Sequence, residues 1–254
     1  MQLLSLNVWA GIRFEPLMQF ISRYAAKVDV FCFQEVFSTA TDHLQSGESR
    51  VNLFQEMQSA LTGFDGFFDG AQDGIDMQGA VDFQISYSLA TFVKRGVSIA
   101  DHGDLMVYAT RNGKDAKTGV TVPRNLQYLR LNISGKQLTI ANLHGLWNGG
   151  GKGDDNDRLE QSRLTVDFLN GEPGDTILCG DFNLWPDTES MKLLEQDRRN
   201  LIKDYGIFST RSELYTKENK FADYILVSDH VTVSHFQVLP DVVSDHLAML
   251  LDFS

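Results

Sequence analysis

Short apolar runs that carry, at one end, a side chain able to bind a cation or a phosphate recur along the chain, and this pattern limits the fold more than any other feature. The first run, 3–9, carries Asn7 near its end. Val30-Phe31-Cys32-Phe33 ends in Gln34-Glu35. Leu138-Thr139-Ile140-Ala141 leads to Asn142 and His144, and Thr176-Ile177-Leu178-Cys179 leads to Gly180-Asp181-Phe182-Asn183. Asp223 opens the run that ends at Ser228, and Ser244-Asp245-His246 precedes the last run. Short continuous apolar runs between polar residues are the pattern of strands buried on both faces.

Each strand end has a plainer reading alone. Gly-Asp-Phe-Asn favours a turn, a Glu after a strand is commonly solvated, Ser-Asp-His suits an exposed cap, and His144 suits a hydrogen-bonded core position. Together these readings need six polar strand ends to be unrelated. Polar groups at the rim of a core are costly unless something satisfies them. Glu35, Asp181 and Asp245, if gathered, would repel one another, and a divalent cation relieves that repulsion. Oxygen donors favour Mg²⁺, Mn²⁺ or Ca²⁺ over zinc.

The rest of the chain supports a mixed sandwich. Leu17, Phe20, Ile21 and Tyr24 mark one face of a helix over 15–27, opened by Glu15-Pro16. With the run 28–33 the chain begins strand, helix, strand. Residues 38–80 are less regular: a helix from about Arg50 to Leu61 is followed by a Gly- and Asp-rich stretch through Gly79. Strands at 89–94 and 104–110 read as a hairpin or meander. Strands follow at 126–133 and 137–144, then a glycine-rich loop (145–157) and a helix (158–169). A strand at 175–180, a helix at 188–196 and strands at 222–228, 231–238 and 247–253 complete the chain. Many short strands with a few helices imply an α+β or mixed α/β sandwich. With no internal repeat and no linker, 1–254 reads as a single domain.

The net charge is −12, which argues against holding long nucleic acid by bulk electrostatics, since phosphate contacts need Lys and Arg. Cys32 and Cys179 sit inside apolar runs and read as buried thiols on strands, which suits a reducing, cytoplasmic setting. The start Met-Gln-Leu-Leu-Ser-Leu-Asn has the pattern of no secretory leader. No apolar run reaches the roughly 18 residues of a membrane span, so no transmembrane segment is expected.

The order Leu-Asn-Val-Trp, Phe-Gln-Glu, Asn-Leu-His-Gly, Gly-Asp-Phe-Asn, Ala-Asp-Tyr-Ile-Leu-Val-Ser and Ser-Asp-His resembles the endonuclease/exonuclease/phosphatase superfamily, from Asn7 to His246. Gly-Asp-Phe-Asn and Ser-Asp-His are its most specific elements. The resemblance implies a four-layer sandwich of two packed mixed β-sheets flanked by helices. It implies a site for Mg²⁺ or Mn²⁺ on Glu35, with Asn7 close by and Asp245 as a further acidic contact. Asp181 would orient and deprotonate the attacking water, and Asn183 would hold the water or the phosphate. His246 would stabilise charge on the scissile phosphate with its ring oriented by Asp223, and His144 would add a phosphate contact. Asn142 is read mainly as support for this network. It is also counted with Arg124 and Arg211 as a substrate contact.

These implications make the chain a metal-dependent phosphoric ester hydrolase acting on a phosphate-ester substrate, with nucleic acid among the candidates. A phosphodiesterase or nuclease is the first expectation. A phosphomonoesterase acting on a small metabolite or lipid headgroup is the alternative, and a catalytically silent binding module the third. Gln34-Glu35-Val36-Phe37 departs from the Gln-Glu-(Thr/Ile)-Lys usual in exonuclease III-type enzymes, and Trp9 stands where they place an Asp. Cys179-Gly180 before Asp181 departs from the inositol 5-phosphatase pattern. Gln-Glu-Val-Phe is faintly similar to sphingomyelinase-like members. Arg124, Arg130, Lys152 and Arg211 are the basic residues available for a second phosphate contact. Each is first read as a surface charge. Trp147 and Trp185 are read as core, and 149–153 as a lid or surface loop, since no Gly-Lys-(Ser/Thr) opens a helix there.

Overall fold

The computed structural model describes residues 1–113, 122–133, 135–218 and 220–254. Its main strands are β1 (Gln2–Asn7), β2 (Val30–Ser38), β3 (Phe64–Asp73), β4 (Ser86–Lys94), β5 (Ile99–Tyr108) and β6 (Arg124–Ile133). They continue with β7 (Lys136–His144), β8 (Asp175–Asp181), β9 (Arg198–Asn200), β10 (Asp223–Ser228), β11 (Val233–Val238) and β12 (Met249–Phe253). They form two six-stranded sheets, in the orders β11-β12-β1-β2-β4-β3 and β9-β10-β8-β7-β6-β5. In each sheet one pair is parallel, β1 with β2 and β7 with β8. The polar strand ends follow from this pairing: Asn7 lies opposite Gln34, His144 opposite Asp181, and Asp181 opposite Asp223.

The sheets pack face to face on residues that the apolar runs predict, among them Leu3, Val30 and Cys32 of the first sheet and Ile140, Ile177 and Leu226 of the second. Cys32 and Cys179 meet in this interface as free, buried thiols, and burial followed by the Cys179 neighbour pushes the Cys32 thiol well up. Helices α1 (Phe14–Tyr24) and α2 (Leu53–Ala60) cover the outer face of the first sheet, where Phe20, Ile21 and Met57 pack with Phe31 and Phe33. Burying each of those Phe rings contributes about 2–3 kcal/mol. Helices α3 (Asn156–Asn170) and α4 (Glu189–Leu194) flank the second sheet, with Val166, Leu169, Met191 and Leu194 in its core; a short α5 (Leu201–Asp204) packs on β10. The result is the expected four-layer sandwich. Among the described residues no helix is long and apolar enough to cross a membrane.

Three expectations are corrected. Strands β4 and β5 are not a hairpin or meander, because the chain leaves the first sheet at Lys94 and enters the second at Ile99. The Gly- and Asp-rich stretch contains the long strand β3; as an edge strand it tolerates residues that a central strand excludes. Trp147 and Trp185 are not core residues: they are 38% and 44% exposed.

Candidate active site

Gly180 precedes Asp181 for a steric reason. Its φ is +135°, and a Cβ there would lie 2.0 Å from the carbonyl oxygen of Leu143 on the parallel neighbour β7. Asn183 follows in the left-handed region at φ 52°, which Asn tolerates better than most residues. Its backbone N–H donates to Asp181 Oδ1 at 2.9 Å, and its side-chain amide reaches the carbonyl of Gly145 at 3.4 Å. Glu35 also lies at positive φ, 59°, inside a register shift of β2 against β4 between Phe33 and Val36. The bulge turns the Glu35 side chain into the cleft, and the strained backbone costs on the order of 1–3 kcal/mol.

Asn7 links the sheets at this point. Its Nδ2 donates to Glu35 Oε1 and to Asp181 Oδ2, both at 3.0 Å, while its Oδ1 accepts the Trp9 backbone N–H at 2.9 Å. The amide N–H2 thus spaces the two carboxylates, and Asn7 lies beside Glu35 as expected, with its oxygen turned to Trp9.

Asp181 stands between two histidines. His246 Nε2 is 3.5 Å and His144 Nε2 3.8 Å from its Oδ2. Burial opposes ionisation of Asp181, but its neighbours His246, His144, Arg211 and Lys152 outweigh it and hold the carboxyl below its usual range. His246 presents Nδ1 to both oxygens of Asp223, whose backbone N–H donates to Thr210 Oγ1. Burial works against charge on this ring, but the Asp223 carboxylate, with Asp181 assisting, leaves the pKa raised. His144 behaves oppositely: burial first, then the Arg124 guanidinium, keeps it well below the ordinary value. Arg124 Nη1 lies 3.4 Å from His144 Nδ1. With Arg124 as donor, the proton of His144 sits on Nε2 and faces the carboxylates.

These groups line a cleft of about 570 Å³. Glu35 Oε2 is buried there without a hydrogen-bond partner, and burial leads the causes that raise its pKa. An orphaned buried carboxylate oxygen is expensive unless a cation satisfies it. Ligand atoms of Glu35, His144 and Asp181 all lie within 4.8 Å of one another, as do those of Asp181, Asp223 and His246. This donor set fits a metal ion. Asp245 is nearby but already binds Arg211, whose Nη1 donates to Oδ2 at 2.8 Å.

The structure thus gathers Asn7, Glu35, His144, Asp181, Asn183, Asp223, Asp245 and His246, with Arg124 and Arg211 on the walls. Asn142 does not join them as a substrate contact. It is enclosed between the sheets, accepting from Gln34 Nε2 at 2.7 Å and donating to the Phe33 carbonyl at 3.1 Å. Arg130 lies elsewhere, bound to Glu172 and Asp101. Arg124, Lys152 and Arg211 are not surface charges: they are only 7%, 4% and 8% exposed. Lys152 is the residue that local sequence reasoning undervalued most. Its Nζ donates to the Phe221 carbonyl at 2.8 Å, and burial pulls its pKa down to about 8. The usable signal was a lysine in a glycine-rich loop three residues before the N-cap Asp155 of α3.

Glu35 within β2, Asp181 at the end of β8 and the His246–Asp223 pair thus form one network of carboxylates and imidazoles. The family model described as Endonuclease/Exonuclease/phosphatase family matches residues 4–246, and the chain belongs to that family. Among solved structures it is similar to a mannosyl-6-phosphatase from Bacteroides thetaiotaomicron, at 19% identity over 100% of this chain and 99% of that one, with a TM-score of 0.73. The human Nocturnin catalytic domain with bound sulfate is 21% identical over 100% of this chain and 93% of that one, with a TM-score of 0.68. A humanized D. rerio TDP2 is 15% identical over 100% and 98%, with a TM-score of 0.71. No curated protein sequence matches the chain.

Proposed function

We propose that the chain hydrolyses phosphate esters with a divalent cation, Mg²⁺ or Mn²⁺, held on Glu35 with Asp245 as a further acidic contact. One observation carries this reading: Asp181 has both oxygens fixed, by Asn7 and Asn183, and stands between two histidines beside the unsatisfied Glu35 Oε2. A bound cation would neutralise a phosphate oxygen and lower the pKa of water. Asp181 aligns the attacking water. Held ionised at a depressed pKa it is a weak proton acceptor, so alignment is its larger contribution. Asn183 holds the water or a phosphate oxygen. His246, kept in one orientation by Asp223, donates through Nε2 to charge building on the phosphate. His144 donates from the other side, and Asn7 keeps Glu35 and Asp181 apart.

The names of the similar structures include a phosphatase, which agrees with ester hydrolysis. A silent binding module is disfavoured because each group needed for hydrolysis is within reach of the others. The buried free thiols agree with a reducing, cytoplasmic setting. The test is hydrolysis of aryl phosphate mono- and diesters with Mg²⁺ or Mn²⁺, using EDTA as control. Asp181→Asn and His246→Gln are each expected to lose at least about 10² in kcat. Full activity in either variant, or in EDTA, overturns the proposal.

A further inference from the structure

The cleft holds cations that the hydrolytic roles above leave unused. Arg124, the first residue of β6, is buried beside His144 with its Nε lacking any partner. Its charge raises a problem of compensation, because among the described residues the neighbour its guanidinium contacts is the His144 ring and not a carboxylate. Lys152 meets a neutral acceptor, the Phe221 carbonyl. Arg211 binds Asp245 through Nη1 but leaves Nε without a partner. The three stand on two walls. Arg124 shares one with His144 and Tyr87. Lys152 and Arg211 share the other with Tyr215, whose ring centroid lies 5.8 Å and 4.2 Å from their charged ends.

The donors left over say what would compensate them. The acids in or directly behind the cleft are Glu35, Asp76, Asp181, Asp223 and Asp245. The cations that line it are Arg124, Lys152, Arg211 and Lys217. Asp76 is at the rim, bound to Ser46 and to the backbone N–H groups of Gln78 and Gly79, and Lys217 is at the rim over Trp147. Among the described residues Arg124 and Arg211 keep buried Nε donors without a partner, and Lys152 is capped by a neutral carbonyl, so these cations still call for an anion. A phosphate monoester dianion brings two negative charges to them, whereas a diester brings one. A monoester also presents three unesterified oxygens, enough for cationic donors on both walls.

We propose that Arg124 and Lys152 select the dianionic terminal phosphate of a small phosphomonoester over the monoanionic phosphate of a diester. The proposal rests on the hydrolytic reading above and fixes its substrate class. Water forms the new P–O bond, the ester P–O bond breaks, and the alcohol and orthophosphate leave.

Two measurements on the magnesium-loaded full chain test this. The first compares kcat/KM for p-nitrophenyl phosphate and bis(p-nitrophenyl) phosphate. The second compares calorimetric binding of inorganic phosphate and dimethyl phosphate, which needs no turnover. The wild type is expected to favour the monoester by at least about tenfold and to bind inorganic phosphate more tightly than dimethyl phosphate by a similar factor. Arg124→Met and Lys152→Met are expected to reduce that preference by about tenfold in both measurements, and Arg124→Lys to retain part of it. A wild type that prefers the diester, or variants that lose both ligands equally, overturns the proposal. Preferential phosphate binding through Arg124 and Lys152 without hydrolysis of either ester would overturn the hydrolytic reading and leave the selection of the dianion standing. A melting curve for each variant separates unfolding from loss of selection.

Discussion

His246 Nδ1 faces both carboxylate oxygens of Asp223, 2.7 Å from Oδ1 and 2.9 Å from Oδ2. Asp223 is the first residue of β10 and pairs across the ladder with Asp181, so one register sets both carboxylates relative to the ring. In the Asp223→Asn variant an amide can offer its N–H2 to Nδ1 and favour the wrong tautomer. The expected result is a fall in kcat of about 10²–10³ with KM little changed. Steady-state kinetics beside the wild type checks it, and an unchanged kcat would show that Asp223 does not orient His246.

Arg158 ties down the loop that carries Lys152. From the first turn of α3 its Nη2 donates to the Gly151 carbonyl at 2.6 Å and to Asn148 Oδ1 at 3.2 Å, with a longer contact to the Leu146 carbonyl at 3.4 Å. Its Nη1 also binds Asp155, the N-cap of the same helix. Arg158→Met would leave buried carbonyls without a donor and a carboxylate without its partner. A loss of about 3 kcal/mol in urea unfolding is expected. KM for an aryl phosphate should rise more than kcat falls, because the loop positions Lys152 and is remote from Asp181.

Glu172 gives a pH dependence away from the cleft. Its bidentate bond with Arg130 comes first among the causes that hold its pKa below the ordinary value; burial opposes this and the Thr139 hydroxyl assists. A depressed carboxylate pKa stabilises the folded chain fully above the unfolded value, about 4.3. That contribution disappears as the pH falls through the folded value. Glu172→Gln is therefore expected to cost about 1–2 kcal/mol at neutral pH and progressively less below about pH 4. Urea titrations of both proteins across that range should converge at the acid end.

Much of this arrangement was legible in the sequence because it depends on strands buried on both faces. β1, β2, β7, β8, β10 and β12 all read as apolar runs, and their polar ends marked where the carboxylates gather. β3 was not legible, since an edge strand with Gly66, Gly70 and several Asp lacks the apolar pattern. Nor does any local signal assign β4 and β5 to different sheets. Burial of Arg124, Lys152 and Arg211 is set by walls from distant segments, and a short window of sequence cannot distinguish such a cation from a solvated one. Asn142 misled for a related reason. It sits two residues before His144 on β7, so its side chain points to the same face of the sheet, but it stops at the Gln34 and Phe33 contacts of the opposing sheet.

Gly180 offers the sharpest test of how backbone placement governs the site. It pairs with Leu143 on the parallel neighbour β7 and with Tyr224 on β10, so both sides of the strand are held. The Gly180→Ala Cβ would meet the Leu143 carbonyl oxygen at 2.0 Å, at a φ of +135° that L side chains avoid. Neither β7 nor β10 can yield without breaking its ladder, so the strain falls on Asp181, the next residue. A loss of about 3 kcal/mol or more is expected in urea unfolding. Protein that still folds should show kcat lowered by at least about tenfold, because a carboxylate displaced by a fraction of an ångström no longer aligns water. A stable Gly180→Ala protein with wild-type kcat would mean that the Asp181 position is not set by this close approach of β7 and β8.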